Sequence, residues 1–218
     1  IQKGNRWLSA GTAPIESMSR TATFRVDNWD GSADIPYRLV YKMMNSGNRL
    51  ERYEWSGMIR REPIDKEEVI VAGFTGNNDL GFPNEDLAKH VMFHEPDILF
   101  FSGDQIYEGV AGFGVQREPL DKATLDYLRK WYLFGWAYRD MLRDRPSITI
   151  PDDHDVYHGN LWGEGGKATI KSDNHKEMQD SGGYKQPPEW VNMVQRTQTS
   201  HLPDPYDPTP HKQGITET

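Results

Sequence analysis

Two hydrophobic patterns divide the chain near Pro63. Before it, apolar and polar positions alternate; from Val69 onward, apolar residues run together. Alternation predicts half-buried antiparallel strands, and unbroken β-branched or aromatic runs predict strands buried in a parallel sheet. Thr21–Val26, Tyr37–Met43 and Tyr53–Ile59 are read as strands of the first kind. Asn28-Trp29-Asp30-Gly31 and Asn45-Ser46-Gly47-Asn48 supply the turns between them. Ile1–Ser19 has little periodicity and reads as an arm. Three such strands make a small antiparallel β unit, too few for a full sandwich.

Val69–Phe74, Asp97–Phe101 and Ser147–Ile150 are read as strands of the second kind, with Pro151 ending the last. Ile98–Phe101 is an unbroken apolar run and is expected to be covered on both faces. Between the first two, Asn84 is expected to cap a short helix with Glu85 and Asp86 in its first turn. That β-α-β order implies parallel strands. Asp121 is expected to cap a long helix ending before Pro146. Tyr127, Trp131, Phe134 and Tyr138 fall on one face of it, and Leu125, Leu128, Tyr132 and Trp136 on another. A helix apolar on nearly all sides is expected to be buried between elements. Gly109–Gly114 lacks the strand-to-helix context of a nucleotide fingerprint and reads as loop. Beyond Asn160 come a glycine-rich stretch, a helix over Pro187–Thr199 and a proline-rich extended segment over His201–Pro210. This tail is expected to be poorly ordered or to pack only locally. The fold class is therefore α/β.

Two of the buried strands end in acids. Ile98–Phe101 leads through Ser102 and Gly103 to Asp104, and Ser147–Ile150 leads through Pro151 to Asp152, Asp153, His154 and Asp155. Adjacent carboxylates repel unless a proton or cation holds them, and carboxylate with imidazole suits a hard or borderline divalent metal. In a parallel sheet, ligands gather beyond the carboxyl ends of the strands. One metal site assembled from two loops follows as an expectation, with Asp104 and Asp153 converging and His154 nearby.

Gly103-Asp104-Gln105-Ile106-Tyr107-Glu108 with Asp152-Asp153-His154-Asp155 resembles the alkaline phosphatase D-type branch of the calcineurin-like metallophosphoesterases, over about Val69 to Asn160. The resemblance implies a β-sandwich segment, here residues 1–64, before a catalytic α/β sandwich, here residues 65–218 and incomplete at its end. It implies a metal-dependent phosphomonoesterase or phosphodiesterase using two divalent ions (iron, zinc, manganese or calcium) and a small-molecule phosphate ester. Asp104 would bridge the metals, Asp153 would be a second ligand, and His154 would serve the leaving oxygen. Tyr107 would donate a hydrogen bond near the phosphate or form a packed wall. Asn160 is a candidate for substrate binding. The chain departs from the pattern at the family's first motif, where Thr75-Gly76-Asn77-Asn78-Asp79 stands. Gly76 offers no ligand, and Asn77 is the candidate there, with Asn78 and Asp79 as alternatives. His158, His175, His201 and His211 lack the context of the late histidine motifs and read as surface or loop residues.

The 218 residues carry a net charge of −8 and no cysteine. No clustered Lys and Arg suggest a nucleic-acid partner, thiolate metal sites are excluded, and no apolar run nears the ~20 residues of a membrane span. A hydrophobic share of 36% is low for a full core. The start at Ile1 and the missing late ligands together predict a fragment that binds metal poorly and turns over little ester. The alternatives are a non-catalytic, metal-poor homologue acting as a binding module, and a one-metal carbohydrate or ester hydrolase using Asp104 and Asp153 as an acid pair.

Overall fold

The computed structural model describes residues 1–78, 82–110, 113–157 and 167–207. Its organising layer is a parallel sheet of three strands in the order β5 (Val71–Phe74), β6 (Ile98–Phe101) and β7 (Ser147–Thr149). Gly73 pairs with Phe100, and Phe101 with Thr149. Helix α1 (Glu85–Phe93) connects β5 to β6, and α2 (Leu120–Asp144) connects β6 to β7. The two helices touch. The unbroken apolar runs thus pair in parallel, as their pattern implies.

One face of the sheet is closed and the other is not. Leu99 and Phe101 are fully buried, while Ile98 and Phe100 are only half-buried and Val71 is exposed. The expectation of cover on both faces therefore fails: the core forms on one side only. There Phe101 stacks on Phe74 at 4.6 Å and meets Phe134 edge-on at 5.2 Å. Tyr127, Phe134, Tyr138 and Met141 of α2 are buried in the same cluster. The helix is not buried all round, because its opposite stripe of Leu125, Tyr132 and Trp136 is more than half exposed. Tyr132 stacks on Trp136, and the Arg139 guanidinium lies 4.4 Å above the Trp136 ring, giving part of that stripe a polar cover.

The helix starts differ from the caps read in the sequence. Asn84 takes the cap position of α1 in a left-handed conformation and makes no side-chain cap bond. Glu85 and Asp86 still favour that end through the helix dipole. Pro119, not Asp121, precedes α2, and Asp121 lies within the first turn. Proline suits this place because the first N–H groups of a helix have no internal partner.

The tail does more than pack locally. Helix α4 (Pro188–Gln198) puts Trp190, Val191, Met193 and Val194 fully into the core. Trp190 meets Tyr127 at 5.5 Å and Tyr157 at 4.9 Å. A short helix, α3 (His175–Asp180), precedes it. Residues 201–207 are turns and bends rather than an extended run.

The N-terminal part is antiparallel, but it forms two separate two-stranded sheets rather than one unit of the three strands expected. A ten-residue hairpin joins β3 (Ile35–Met44) and β4 (Leu50–Ile59), and a two-residue hairpin joins β1 (Gln2–Lys3) and β2 (Arg6–Trp7) within the expected arm. Thr21–Val26 is not a strand. β-Propensity needs a neighbouring edge to pair with, and here Arg25 instead donates to the carbonyls of Ser200 and Leu202. The base of the large hairpin docks on the end of α2. Tyr37 Oη donates to Arg143 O at 2.8 Å, and Met58 N–H to Asp144 Oδ1 at 3.0 Å. Gly57 is required at this contact, since a Cβ there would sit 2.6 Å from Arg143 O.

Candidate metal centre

The loops after β5, β6 and β7 are bound together before any site chemistry enters. Ser102 donates to Phe74 O through both its N–H and its hydroxyl. Asn77 N–H donates to Asp104 O at 2.7 Å. At Gly103, φ is +112° and a Cβ would lie 2.6 Å from the Cβ of Asp152. Glycine therefore lets the β6 and β7 loops approach each other. The next residue, Asp104, holds a left-handed φ of +53°, a conformation that costs energy outside glycine and concentrates at functional sites.

Asp104, Asp153 and His154 converge there. One ligand atom from each lies within 4.8 Å of the others. Both acids follow the carboxyl ends of adjacent parallel strands, so the geometric expectation from the sequence holds. Asp104 Oδ2 accepts the Tyr107 hydroxyl at 3.0 Å, while Oδ1 is buried without a hydrogen-bond partner among the described residues. Two carboxylates and an imidazole gathered this closely, with one Asp104 oxygen left without a hydrogen bond, fit a divalent cation. Burial raises the Asp104 carboxyl above its usual range, against the Tyr107 bond and the His154 charge, with Asp153 and Asp152 adding repulsion.

His154 is oriented from behind. Its Nδ1 lies 2.7 Å from Glu108 Oε2, which leaves Nε2 as the nitrogen available for coordination or proton transfer. Burial would lower the imidazole, but Glu108, Asp153 and Asp104 together hold it above its ordinary value. The Tyr107 ring packs 4.5 Å from the imidazole. Burial and the bond to Asp104 push the Tyr107 phenol up to about 12, so it stays a donor. Tyr107 is thus both wall and donor, and its donation goes to Asp104.

Comparison with protein-family models, curated proteins and solved structures finds no match to this chain.

The other residues singled out in the sequence fall differently. Asn77 sits beside Asp104, but its Oδ1 accepts the Tyr138 hydroxyl at 3.1 Å and so is turned toward α2. Asn160, Asp79, His158 and His211 lie outside the described residues. His175 and His201 are exposed, as read. Among the described residues there is one cluster of three possible ligands, which fits a single ion.

The supporting roles of Asp155, Glu108 and Lys130 were not read from the sequence, although the first two stand within its acidic motifs. Asp155 is fully buried and accepts Gln105 N–H at 3.0 Å, Ile106 N–H at 3.3 Å, Asp152 N–H at 2.9 Å and Gln198 Nε2 at 3.0 Å. It ties the β6 loop, the β7 loop and α4 to one carboxylate. Burial pushes that carboxyl up to about 7 despite the four donors. Glu108 was legible only as the end of the motif, four residues after Asp104. Lys130, 1% exposed, donates to Glu108 O at 2.8 Å and pairs with buried Asp126 at 2.6 Å, and Asp126 also accepts the Tyr157 hydroxyl at 2.8 Å. A lysine at i+4 from an aspartate on a helix ordinarily marks a solvated pair, which hid this one.

Proposed function

We propose that this chain is a metal-dependent phosphoric ester hydrolase whose α/β layer is of the metallophosphoesterase kind. One observation supports the reading above the others: Asp104, Asp153 and His154 converge beyond the ends of two adjacent parallel strands. A divalent ion held there by the two carboxylates would act as a Lewis acid and lower the pKa of bound water. Asp104 would offer Oδ1 to the ion and keep Oδ2 on Tyr107. His154, with Nδ1 anchored on Glu108, presents Nε2 toward the leaving oxygen and holds the proton there. Glu108 stabilises the imidazolium and fixes the ring. Asp155 keeps the two loops in register and stays out of the chemistry.

A second reading, a metal-binding module without turnover, is favoured by the first loop: Gly76 has no ligand and Asn77 Oδ1 is committed to Tyr138. Hydrolysis of an aryl phosphate and of an aryl phosphodiester, with manganese, calcium, iron or zinc added, separates the two. The hydrolase reading expects metal-stimulated turnover that chelation and Asp104→Asn both abolish. Metal binding without turnover supports the module. Turnover that survives exhaustive chelation contradicts both.

A further inference from the structure

The β3–β4 hairpin has two unlike edges. Among the described residues its strands pair only with each other. A two-stranded ribbon is marginal in water without further strands. Met58 N–H points away from β3 to Asp144 Oδ1, and Pro36, its partner in the register, has no N–H. At the turn, Asn45 N–H bonds across to Arg49 O. The even-numbered residues of both strands therefore turn their N–H and C=O groups outward, and the odd-numbered ones turn theirs inward.

The β3 edge is blunted. Pro36 interrupts its donors, β1 lies against it, and the Arg38 guanidinium sits 4.4 Å over the Trp7 ring. Its outward positions also carry two like charges, Arg38 and Lys42, which would face each other if two such edges met. The β4 edge differs. Its outward residues Leu50, Arg52, Glu54 and Ser56 are exposed, and Arg52 pairs with Glu54 within the strand.

A second β4 can join this edge only by matching outward residues to outward residues. Antiparallel pairing centred on Tyr53 sets Arg52 opposite the partner's Glu54, twice by symmetry, and Leu50 opposite the partner's Ser56. A shift of two residues either way sets Arg52 against Arg52 or Glu54 against Glu54, which is unfavourable. A shift of one residue matches outward to inward groups and turns every side chain to the wrong face. Charge thus selects a single register. On the other face, Tyr53 meets its own copy at the axis. That continues the Tyr41–Tyr53 stack, whose centroids are 6.0 Å apart and whose rings are exposed with Leu39 and Trp55 beside them.

We propose that the β4 edge is the interface of a twofold homodimer, joined in this register into one continuous β3–β4–β4–β3 sheet.

Sedimentation equilibrium of the full chain, Arg52→Glu, Glu54→Arg and the double variant tests it. These positions are exposed, so the fold is kept. Each single variant sets like charges opposite each other twice, and the dimer dissociation constant should rise about tenfold or more. The double variant restores opposite signs and should return to within about threefold of the wild type. The chain has no cysteine, so Tyr53→Cys carries a single thiol. At a non-hydrogen-bonded antiparallel pair the Cα atoms lie ~4.5 Å apart, within disulfide reach, whereas Tyr41 would stay about 14 Å from its copy. Mild oxidation should therefore cross-link the Tyr53→Cys chain and not Tyr41→Cys. A monomeric wild type, single variants that dimerise as well as the wild type, a double variant no better than the singles, or equal cross-linking at the two cysteines overturns the proposal.

Discussion

Gln198 Nε2 lies 3.0 Å from Asp155 Oδ1 across forty-three residues of chain. This contact makes the end of α4 part of the metal loops' foundation. The same amide also donates to the Tyr127 hydroxyl at 3.2 Å, and Tyr127 is wholly buried in α2.

Removing Asp155 should therefore loosen both loops together. Asp155→Ala deletes four hydrogen bonds and leaves three backbone N–H groups unmet, which costs about 3 kcal/mol or more. Asp155→Asn keeps one oxygen for the Oδ1 partners but turns an NH2 on Asp152 N–H, and should cost about 1–3 kcal/mol. Urea unfolding of both variants reads the order. Equal, small losses would show that the carboxylate does not bind the loops.

Trp190 tests the placement of α4. Its ring is fully buried between Tyr127 and Tyr157, and its Nε1–H has no partner among the described residues. Trp190→Ala should cost about 3–5 kcal/mol and Trp190→Phe roughly 1–2 kcal/mol, since the latter keeps an aromatic face and removes an unpaired donor. Thermal and urea unfolding check this. A cost below about 1 kcal/mol for the alanine variant would place α4 outside the core.

What the sequence disclosed, and what it hid, follows from the range of the interactions. Ile98–Phe101 was legible from its apolar run and Ser147–Thr149 from β-branched residues ending at a proline, local signals that one-sided burial in a parallel sheet still leaves in the strand. The convergence of Asp104 and Asp153 followed from that alone. The roles within Asp152-Asp153-His154-Asp155 were not legible, since a 3-10 turn over His154–Val156 decides which acid faces inward. Trp190 and Gln198 were hidden for a different reason. Their helix was read over Pro187–Thr199 and stands at Pro188–Gln198, but it lies in a proline- and glycine-rich tail, and only tertiary packing shows that it enters the core. Thr21–Val26 shows the converse, a strand-like pattern without an edge to join.

The acid limb of stability should carry a contribution from Glu16. Burial raises its carboxyl, but the N–H groups of Met18 and Ser19 and the Ser17 hydroxyl outweigh it, lowering the pKa from 4.5 to about 2. A depressed folded-state pKa stabilises the native form above the unfolded value and loses that contribution as pH falls through the folded one. The stability difference between wild type and Glu16→Gln should thus be full above about pH 4.5 and shrink toward zero near pH 2. Urea midpoints measured across that range check the sign; a difference that grows on acidification would reverse it.

Glu108 should act through His154. Glu108→Gln keeps a hydrogen-bonding oxygen but removes the charge beside Nδ1 that helps hold the imidazole above its ordinary value. The protonated imidazole should then be lost at lower pH, so the variant's hydrolytic activity should fall away at lower pH than that of the wild type, with manganese affinity little changed. The pH profile of aryl phosphate hydrolysis checks this; a profile identical to that of the wild type would separate Glu108 from His154.

The central claim is that Asp104 and Asp153 hold a divalent ion between two strand ends. Manganese binding, measured by calorimetry on the wild-type chain, Asp104→Asn and Asp153→Asn, tests it most directly. The account predicts saturable binding to the wild type and a loss of about tenfold or more in each variant, with far-ultraviolet circular dichroism unchanged. No manganese binding by the wild type, or equal binding by all three proteins, would contradict it.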